Sequence, residues 1–274
     1  MLSIGPVLRR PKARGRIAGS ALFASGASAP WANTMREAAR MKMDEQENLI
    51  SEQIAYYRAR AQEYDEWFLR QGRYDHGPEH KRLWFAEVEE VREALRAGAP
   101  YGRVLELACG TGLWTQVLQP HASQLTGLDA SPEMIALNRG RLGPGMARYV
   151  EADLFEWSPD QVYDFVFFAF WLSHVPPERF KPFWDVVRAS LAPGGRVFFV
   201  DSRYDPTSTA RDMRLGTRGD TTLSRRLNDG REFTIVKVYY EPDELSARLA
   251  GLGWSVDVQE TAHYFLYGEG RLAE

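Results

Sequence analysis

Short apolar runs alternate with helical stretches through the middle of the chain. The runs predict strands at 103–107, 124–128, 146–150, 163–168 and 195–201, and the stretches predict helices near 113–119, 132–140 and 178–191. Strands that alternate with helices need crossover connections, which lay successive strands parallel. The pattern therefore predicts an α/β fold on a doubly wound, mostly parallel sheet.

The segment before this alternation has a helical pattern. Within 47–97, apolar residues such as Ile50 and Ile54 recur at spacings of three or four, as one helix face requires. The Gly77-Pro78 pair interrupts the pattern, as does a glycine shortly before it. We therefore expect several helices here rather than one.

The segment after the alternation contains a predicted hairpin and a closing pair of strands. An Asn-Asp-Gly turn at 228–230 separates the runs 222–227 and 231–240, as a hairpin would. The last runs, near 254–259 and 262–267, leave no room for a helix between them. We expect these two strands to pair antiparallel.

Residues 1–43 lack such periodicity and are rich in Arg, Ala, Gly, Ser and Pro. We predict a disordered extension, or a start assigned too early, since Met41 and Met43 lie close by. An export signal is the alternative, because Arg9 and Arg10 precede a weak apolar patch. Glycines and serines break that patch, which favours the first interpretation.

Composition narrows the class of protein. Hydrophobic residues make up 44% and aromatic residues 12%, enough for a packed core. The longest apolar run, 165–172, is too short to span a bilayer. Cys109 is the only cysteine, so no internal disulfide can form, which suits a reducing compartment. We expect a cytoplasmic protein without a membrane partner and make no prediction of its oligomeric state.

Charge is spread unevenly along the chain. Eight of the 34 basic residues but only one of the 37 acidic residues lie in 1–42, so the remainder is strongly acidic. Unless it carries a local basic patch, such a body repels a polyphosphate backbone. We therefore do not expect a nucleic acid as substrate.

A glycine turn, "VLELACGTGLWT" at 104–115, follows the first predicted strand. Gly110 and Gly112 let the backbone bend where a Cβ would obstruct it, and a helix then begins near Leu113. The free N–H groups of that helix would face a ligand above the strand ends. The turn alone is compatible with a dinucleotide, a nucleotide-like thioether or no ligand.

The acids that follow narrow these alternatives. Asp129 ends the second strand, 17 residues after Gly112, where a carboxylate can accept both hydroxyls of a ribose. A dinucleotide turn would place a small residue where Thr115 stands beside Trp114. Asp153, after the third strand, is placed to accept from an exocyclic amine such as that of adenine. Ribose and adenine without a diphosphate indicate S-adenosylmethionine.

Five stretches together resemble the class I, seven-stranded S-adenosylmethionine-dependent methyltransferases. They are "VLELACGTG", "LTGLDASPEMI", "EADLFEW", "YDFVFFAFWLSHV" and "LAPGGRVFFVDS", in that order within about residues 50–268. Three more, "YYRARAQEYDEWF", "FFAFWLSHVPPERF" and "DGREFTIVKVYYEPDEL", resemble small-molecule O-methyltransferases, including phosphonate methyltransferases. The resemblance implies a seven-stranded sheet with an antiparallel last strand.

The resemblance also implies an organisation of the chain. The extension, 1–43, would precede a methyltransferase domain, 44–274. Within that domain we expect four parts: a helical cover (44–100), a cofactor-binding core (101–201), a hairpin lid with the substrate region (202–240) and a closing helix with strands (241–268).

The resemblance assigns the cofactor-binding residues as well. The methionine part would meet Glu106, Ala108, Gly110 and Gly112, the ribose Asp129 and Ala130, and the adenine Met134, Asp153 and Leu154. We expect further contacts from Phe168 and from the early helix, where Tyr57 or Arg60 would meet the cofactor's carboxylate. Ala108 stands where the family usually has glycine, which crowds the turn by one methyl group.

Methyl transfer is an in-line displacement, so the protein mainly aligns nucleophile, methyl group and sulfur. His174, just past the fourth strand, is the candidate catalytic base for a neutral oxygen, with a packing histidine as the alternative. If the acceptor is anionic, cations should line its pocket. The resemblance selects Arg226 and Lys237, with Tyr64 as a further substrate contact, against the alternative of a solvated hairpin face.

We therefore predict an enzyme that methylates an oxygen of a small metabolite, for which an anionic group is one option. A non-catalytic cofactor-binding protein, a methyltransferase acting on nitrogen and a dehydrogenase are alternatives. DNA amino-methylating enzymes resemble one another in an Asn/Asp-Pro-Pro-aromatic tetrad, and 175–178 lacks both flanking residues. His76 and His80 have a metal-like spacing without an apparent third ligand, so we expect no metal.

Overall fold

The computed structural model describes residues 30–273. The chain forms two units, residues 1–43 and 44–274. In the first unit, 30–43 is helical, and Met35 and Met43 are exposed. The rest of the predicted extension, 1–29, lies outside the described residues.

The described part contains seven α-helices. They are α1 Pro30–Arg60, α2 Tyr64–Phe68, α3 Pro78–Ala97, α4 Thr115–Leu118, α5 Pro132–Leu142, α6 Phe180–Ser190 and α7 Pro242–Ala250. Helix α1 begins well before the expected start at residue 47, and α3 begins at Pro78, directly after the predicted break. No described helix is both long enough and apolar enough to cross a membrane.

Nine strands accompany these helices in the described part. They are β1 Tyr101–Leu107, β2 Ala122–Asp129, β3 Arg148–Glu151, β4 Tyr163–Ala169, β5 Leu191–Ser202, β6 Thr222–Arg226, β7 Glu232–Val236, β8 Trp254–Glu260 and β9 Phe265–Leu272. Strands β6 and β7 form a separate antiparallel hairpin. Its turn contains Gly230 at φ +90°, which favours glycine.

The other seven strands form one sheet in the order β3-β2-β1-β4-β5-β9-β8. Strands β1 to β5 pair in parallel, and β9 runs antiparallel to both β5 and β8. The predicted α/β class, the parallel sheet and the antiparallel closing pair are confirmed. The strand order reverses between β1 and β4, which is where open sheets of this kind bind ligands.

Strand β4 shows why the sheet is buried on both faces. Phe165 and Phe167 pack on one side with Val88 and Val91 of α3, whereas Val166 packs on the other side with residues of α6 and α7. Alternate residues of a strand point to opposite faces, so a continuous apolar run fits a strand covered by helices on both sides. The two cores hold the carboxyl ends of β1 and β4 in fixed positions.

The hairpin packs against helix α1. Tyr56 forms a small buried cluster with Leu227 and Ile235 of the hairpin. Glu52 and Gln53 of the same helix also accept hydrogen bonds from backbone N–H groups of β7. Helix α1 and the hairpin therefore lie side by side next to the strand ends.

Candidate functional site

The turn after β1 contains three residues with positive φ: Ala108 at +51°, Gly110 at +52° and Gly112 at +91°. A Cβ on Gly112 would lie 2.6 Å from Oδ1 of Asn138 in α5. Gly112 is therefore needed for close packing of the turn on α5, and it does not line the cleft above. This packing role replaces the predicted contact with the cofactor.

A cleft lies above the carboxyl ends of β1, β2 and β4, and we call it the strand-end cleft. Its walls bring together most of the predicted cofactor residues: Tyr57, Ala108, Gly110, Asp129, Ala130, Met134, Asp153 and Leu154. Ile50 and Ile54 of α1 close it from above. The apolar side chains of Met134 and Leu154 suit the face of a purine ring.

Asp129 lies at the end of β2 inside this cleft. Its Oδ2 accepts from the N–H of Gly110 and its Oδ1 from the N–H of Ser131, each at 2.9 Å. A carboxylate oxygen can accept more than one hydrogen bond, so both oxygens remain able to bind a diol. Desolvation raises the pKa of Asp129 to about 6, a value that still leaves most of the carboxylate ionised at neutral pH.

Glu106 lies in a recess beside the strand-end cleft, which it lines with Ala108 and Gly110. The side chain is 2% exposed, and its Oε2 has no hydrogen-bond partner among the described residues. Burial raises the pKa of Glu106 to about 8. Thr115 provides one hydrogen bond to this carboxyl group, but a buried carboxylate with one unpaired oxygen is still costly, and a cation would stabilise its ionised form. The recess therefore fits the positively charged end of S-adenosylmethionine.

The structure corrects the prediction for Phe168. That side chain is fully buried in the sheet core, where its ring lies against Phe183, Trp184 and Phe199. Phe170 lines the cleft instead. Phe168 and Phe170 are two positions apart, so in an ideal strand their side chains would point to the same face. Phe170, however, lies past the end of β4 with φ +53°, and this bend turns its side chain away from the face that Phe168 occupies.

A second pocket lies beside the cleft, and we call it the cationic pocket. It is lined by Tyr57, Arg60, Tyr64, Trp67, Tyr74, Phe170, His174, Ser202, Ser208, Arg225, Ile235, Lys237 and Tyr239. Tyr57, Tyr64 and Phe170 line both spaces and separate them. The described lining includes three cations and no carboxylate.

The three cations come from the end of α1 and from the hairpin segment. The Arg225 guanidinium donates to Oγ1 of Thr209 at 2.7 Å. The Lys237 ammonium donates to Oγ of Ser173 at 2.8 Å. Arg60 lines the same pocket, with its guanidinium carbon 4.9 Å from the ring centre of Tyr64. Such an arrangement suits an anion.

The structure also corrects the choice of Arg226. Its side chain is 42% exposed and pairs with Asp212 at 2.6 Å, outside the pocket. Residues next to each other on a strand face opposite sides, so Arg225 points inward. Leu223 and Leu227, two positions either side of Arg225, are the signal in the sequence that could have identified the inward face.

His174 lies just past β4, where the sequence predicts it, but both ring nitrogens are occupied. Nδ1 lies 2.7 Å from the carbonyl oxygen of Val236, and Nε2 lies 2.9 Å from the Tyr57 hydroxyl. A carbonyl can only accept, so Nδ1 carries the proton and Nε2 accepts from Tyr57. Burial, together with the nearby Lys237, holds the pKa of His174 well below its usual value. The ring is therefore neutral, and this geometry does not fit a free catalytic base.

The two histidines with metal-like spacing, His76 and His80, each have a hydrogen-bond partner. His76 Nε2 lies 2.9 Å from the carbonyl oxygen of Thr209, and His80 Nε2 lies 3.2 Å from Oγ1 of Thr207. Within residues 30–273, no group of three potential metal ligands comes together. Cys109 is buried, and burial raises the pKa of its thiol well above the ordinary value, so it is a poor nucleophile.

Fold and site together define a class. The protein has a parallel sheet with a glycine turn after β1 and an acid at the end of β2. It also has a cleft that suits adenine and a buried acid with one unpaired oxygen that suits a cation. Together these features describe a protein that binds S-adenosylmethionine. Comparison with known proteins supports this class. Residues 104–195 match the family described as "Methyltransferase domain".

Individual proteins extend this agreement. The trans-aconitate 2-methyltransferase of Streptomyces avermitilis is 31% identical over 203 residues, which cover 70% of this chain and 71% of that protein. The solved DhpI-SAH complex is 43% identical with a TM-score of 0.67, covering 82% of this chain and 97% of that one. The DhpI-SAM-HEP complex is 44% identical with the same TM-score, at 81% and 97% coverage. The chain belongs to the class I S-adenosylmethionine-dependent methyltransferases, enzymes for which S-adenosylmethionine is the methyl-donating cofactor.

Proposed function

We propose that this methyltransferase transfers the methyl group to an anionic oxygen, a carboxylate or a phosphonate, on a small metabolite. The observation that carries the proposal is the cationic pocket. Arg60, Arg225 and Lys237 converge there, next to the cleft for the cofactor. Three cations without a carboxylate among the described lining residues repel one another until an anion binds.

The bound cofactor supplies an activated methyl group on a positively charged sulfur. The residues of the chain bind and orient its acceptor. Arg225 and Lys237 would each donate to the acceptor's anionic group, and the fork of a guanidinium fixes its orientation. Phe170, Tyr57 and Tyr64 form the shared wall, which would direct one acceptor oxygen at the methyl group and exclude water.

The neutral state of His174 supports an anionic acceptor. An acid arrives ionised and has no proton to lose before it attacks, so no base is required. A protonated His174 would add a fourth positive charge to a pocket that already holds three. We therefore propose that His174 orients the Tyr57 hydroxyl, whose oxygen can still accept a hydrogen bond.

The known relatives support the same substrate class. One is named for trans-aconitate, an acid, and one solved complex contains SAM together with HEP. The acidic character of the chain after residue 42 favours a small molecule over a nucleic acid. We propose that the reaction takes place in the cytoplasm, because the single cysteine suits a reducing compartment. Residues 44–100 would serve as the cover, 101–201 as the core, 202–240 as the lid and 241–268 as the closing elements.

A panel of acceptors tests the proposal. Purified protein is incubated with S-adenosylmethionine and, separately, carboxylic acids, phosphonic acids, their neutral alcohol analogues and the matching amines. We expect S-adenosylhomocysteine to form with acids alone and a methyl ester to appear in mass spectra. Turnover of amines in preference to acids would establish an N-methyltransferase instead.

A further inference from the structure

Asp201 is a buried acid that the catalytic scheme does not use. It lies near the end of β5 and is 2% exposed. Its Oδ2 accepts from the N–H of Ser173 at 2.8 Å, and its Oδ1 accepts from the N–H of Ser202 at 2.7 Å. These two bonds fix the carboxylate in one orientation.

The carboxylate faces Lys237. Its Oδ1 lies 3.6 Å from Nζ of Lys237, whose side chain is 5% exposed. Within residues 30–273, Asp201 is the only carboxylate within 4.0 Å of this ammonium. Ser173 joins the two groups, because its N–H donates to Asp201 and its hydroxyl accepts from Lys237.

The other groups around Lys237 oppose its charge or are neutral. Arg225 and Arg60 are cations, His174 is neutral, and the ring centre of Tyr239 lies 5.0 Å from Nζ. Burial above all, together with the two arginines, lowers the pKa of Lys237, whereas Asp201 raises it, and the resulting pKa is about 8. Loss of Asp201 would therefore lower this pKa and favour the neutral amine.

Asp201 lies behind Lys237, on the side away from the cationic pocket. Asp201 is not among the residues that line the cationic pocket, so it stabilises the ammonium without occupying the place of an acceptor. An acid inside the pocket would compete with the acceptor for the same cations. We propose that Asp201 is a positioning residue for the methyl acceptor, holding the Lys237 ammonium charged and, through Ser173, directed into the cationic pocket.

Lysine NMR tests the charge relationship without any acceptor. The chain contains five lysines, Lys12, Lys42, Lys81, Lys181 and Lys237, so lysine labelled with ¹³C at Cε gives few signals and Lys237→Arg assigns the relevant one. We expect Lys237 to titrate below the other lysines. Asp201→Asn should lower its titration midpoint by about one pH unit or more, as loss of a close opposite charge does.

Ser173→Ala provides a second variant, because it removes the hydroxyl partner and retains the backbone N–H that binds Asp201. We expect a smaller shift in the same direction. Retained S-adenosylmethionine binding by calorimetry shows that each variant is folded. A Lys237 signal with the same midpoint in wild type and Asp201→Asn overturns the inference.

Kinetics test the link to the acceptor, which depends on the proposed function. Since anion binding needs the ammonium, kcat/KM for an acid acceptor should fall as pH rises through the Lys237 midpoint. Asp201→Asn should move that fall to lower pH, and Lys237→Arg should remove it. An equal loss at every pH would assign Asp201 a merely structural role and overturn the positioning role.

The two failures are distinguishable. A panel in which no acid is methylated overturns the proposed function and with it the acceptor role of Asp201. The NMR titration then still decides whether Asp201 controls the charge of Lys237. If Asp201→Asn shifts the NMR midpoint of Lys237 but leaves the pH dependence of kcat/KM unchanged, the positioning role alone is overturned.

Discussion

The strand-end cleft and the cationic pocket share a wall but are built in opposite ways. The cleft takes its acids, Asp129 and Asp153, from the end of β2 and from the segment just after the neighbouring strand β3. The pocket takes its cations from α1 and from the hairpin, which are far apart in sequence. One space is lined by acids and the other by bases. One fold can thus place a site for a cationic donor beside a pocket that suits an anion.

The opposite charges give the two spaces opposite responses to pH. The pKa of Asp129 is raised to about 6, so its carboxylate is lost as pH falls through that value. The pKa of Lys237 is lowered to about 8, so its ammonium is lost as pH rises through that value. We therefore expect the acid limb of activity to reflect cofactor binding and the alkaline limb to reflect acceptor binding.

The largest effect is expected at the cationic pocket. Arg225→Met should lower kcat/KM for the acid acceptor by about 3 kcal/mol or more, roughly 150-fold, because the acceptor's charge would lose a buried partner. Arg226→Met is the matched control one residue away, on the outer face of the same strand. It should leave kcat/KM within about twofold. Steady-state kinetics with both variants measure this, and a comparable loss in both would contradict the inward position of Arg225.

The next effect is expected at the strand-end cleft. Asp129→Asn should weaken S-adenosylmethionine binding by about 1.5–3 kcal/mol, the size of a hydrogen bond to a charged group. Glu151→Gln is the control, since Glu151 is exposed and pairs with Asp129 in the β2–β3 register. Calorimetry gives both dissociation constants. Unchanged affinity in Asp129→Asn means that the ribose does not bind there.

A smaller effect is expected in the shared wall. Tyr57→Phe and His174→Gln should each lower kcat/KM by about 1–2 kcal/mol, because each breaks the same hydrogen bond. The double variant should be little worse than either single one, as a double-mutant cycle would show. A far larger loss for His174→Gln than for Tyr57→Phe would restore the catalytic base.

The smallest effect concerns pH and the cofactor alone. Protonation of Asp129, whose pKa is raised to about 6, should by itself raise the dissociation constant of S-adenosylmethionine about fourfold between pH 7 and pH 5.5. In Asp129→Asn this contribution should disappear, and the pH dependence that remains should come from Glu106, whose pKa is raised to about 8. An equal pH dependence in both proteins would assign the acid limb to another group.

Prediction from sequence succeeded for the features that depend on the order of residues along the chain. The sheet, its closing antiparallel pair and the cofactor class were predicted because strand ends, the glycine turn and the following acids stand in fixed succession along the chain. The differences concern the directions of two side chains. Arg226 was one residue from the inward position, and Phe168 was assigned to a cleft that the chain reaches only after its bend at Phe170.

The sequence by itself determined the fold class and the donor, because each depends on periodicity and on groups carried by consecutive strand ends. Only the tertiary structure decided that both nitrogens of His174 are engaged and that Asp201 stands behind Lys237. Those facts arise where α1, the residues after β4 and β5, and the hairpin meet. The charges there are set by burial and by neighbours distant in sequence, which no local pattern encodes.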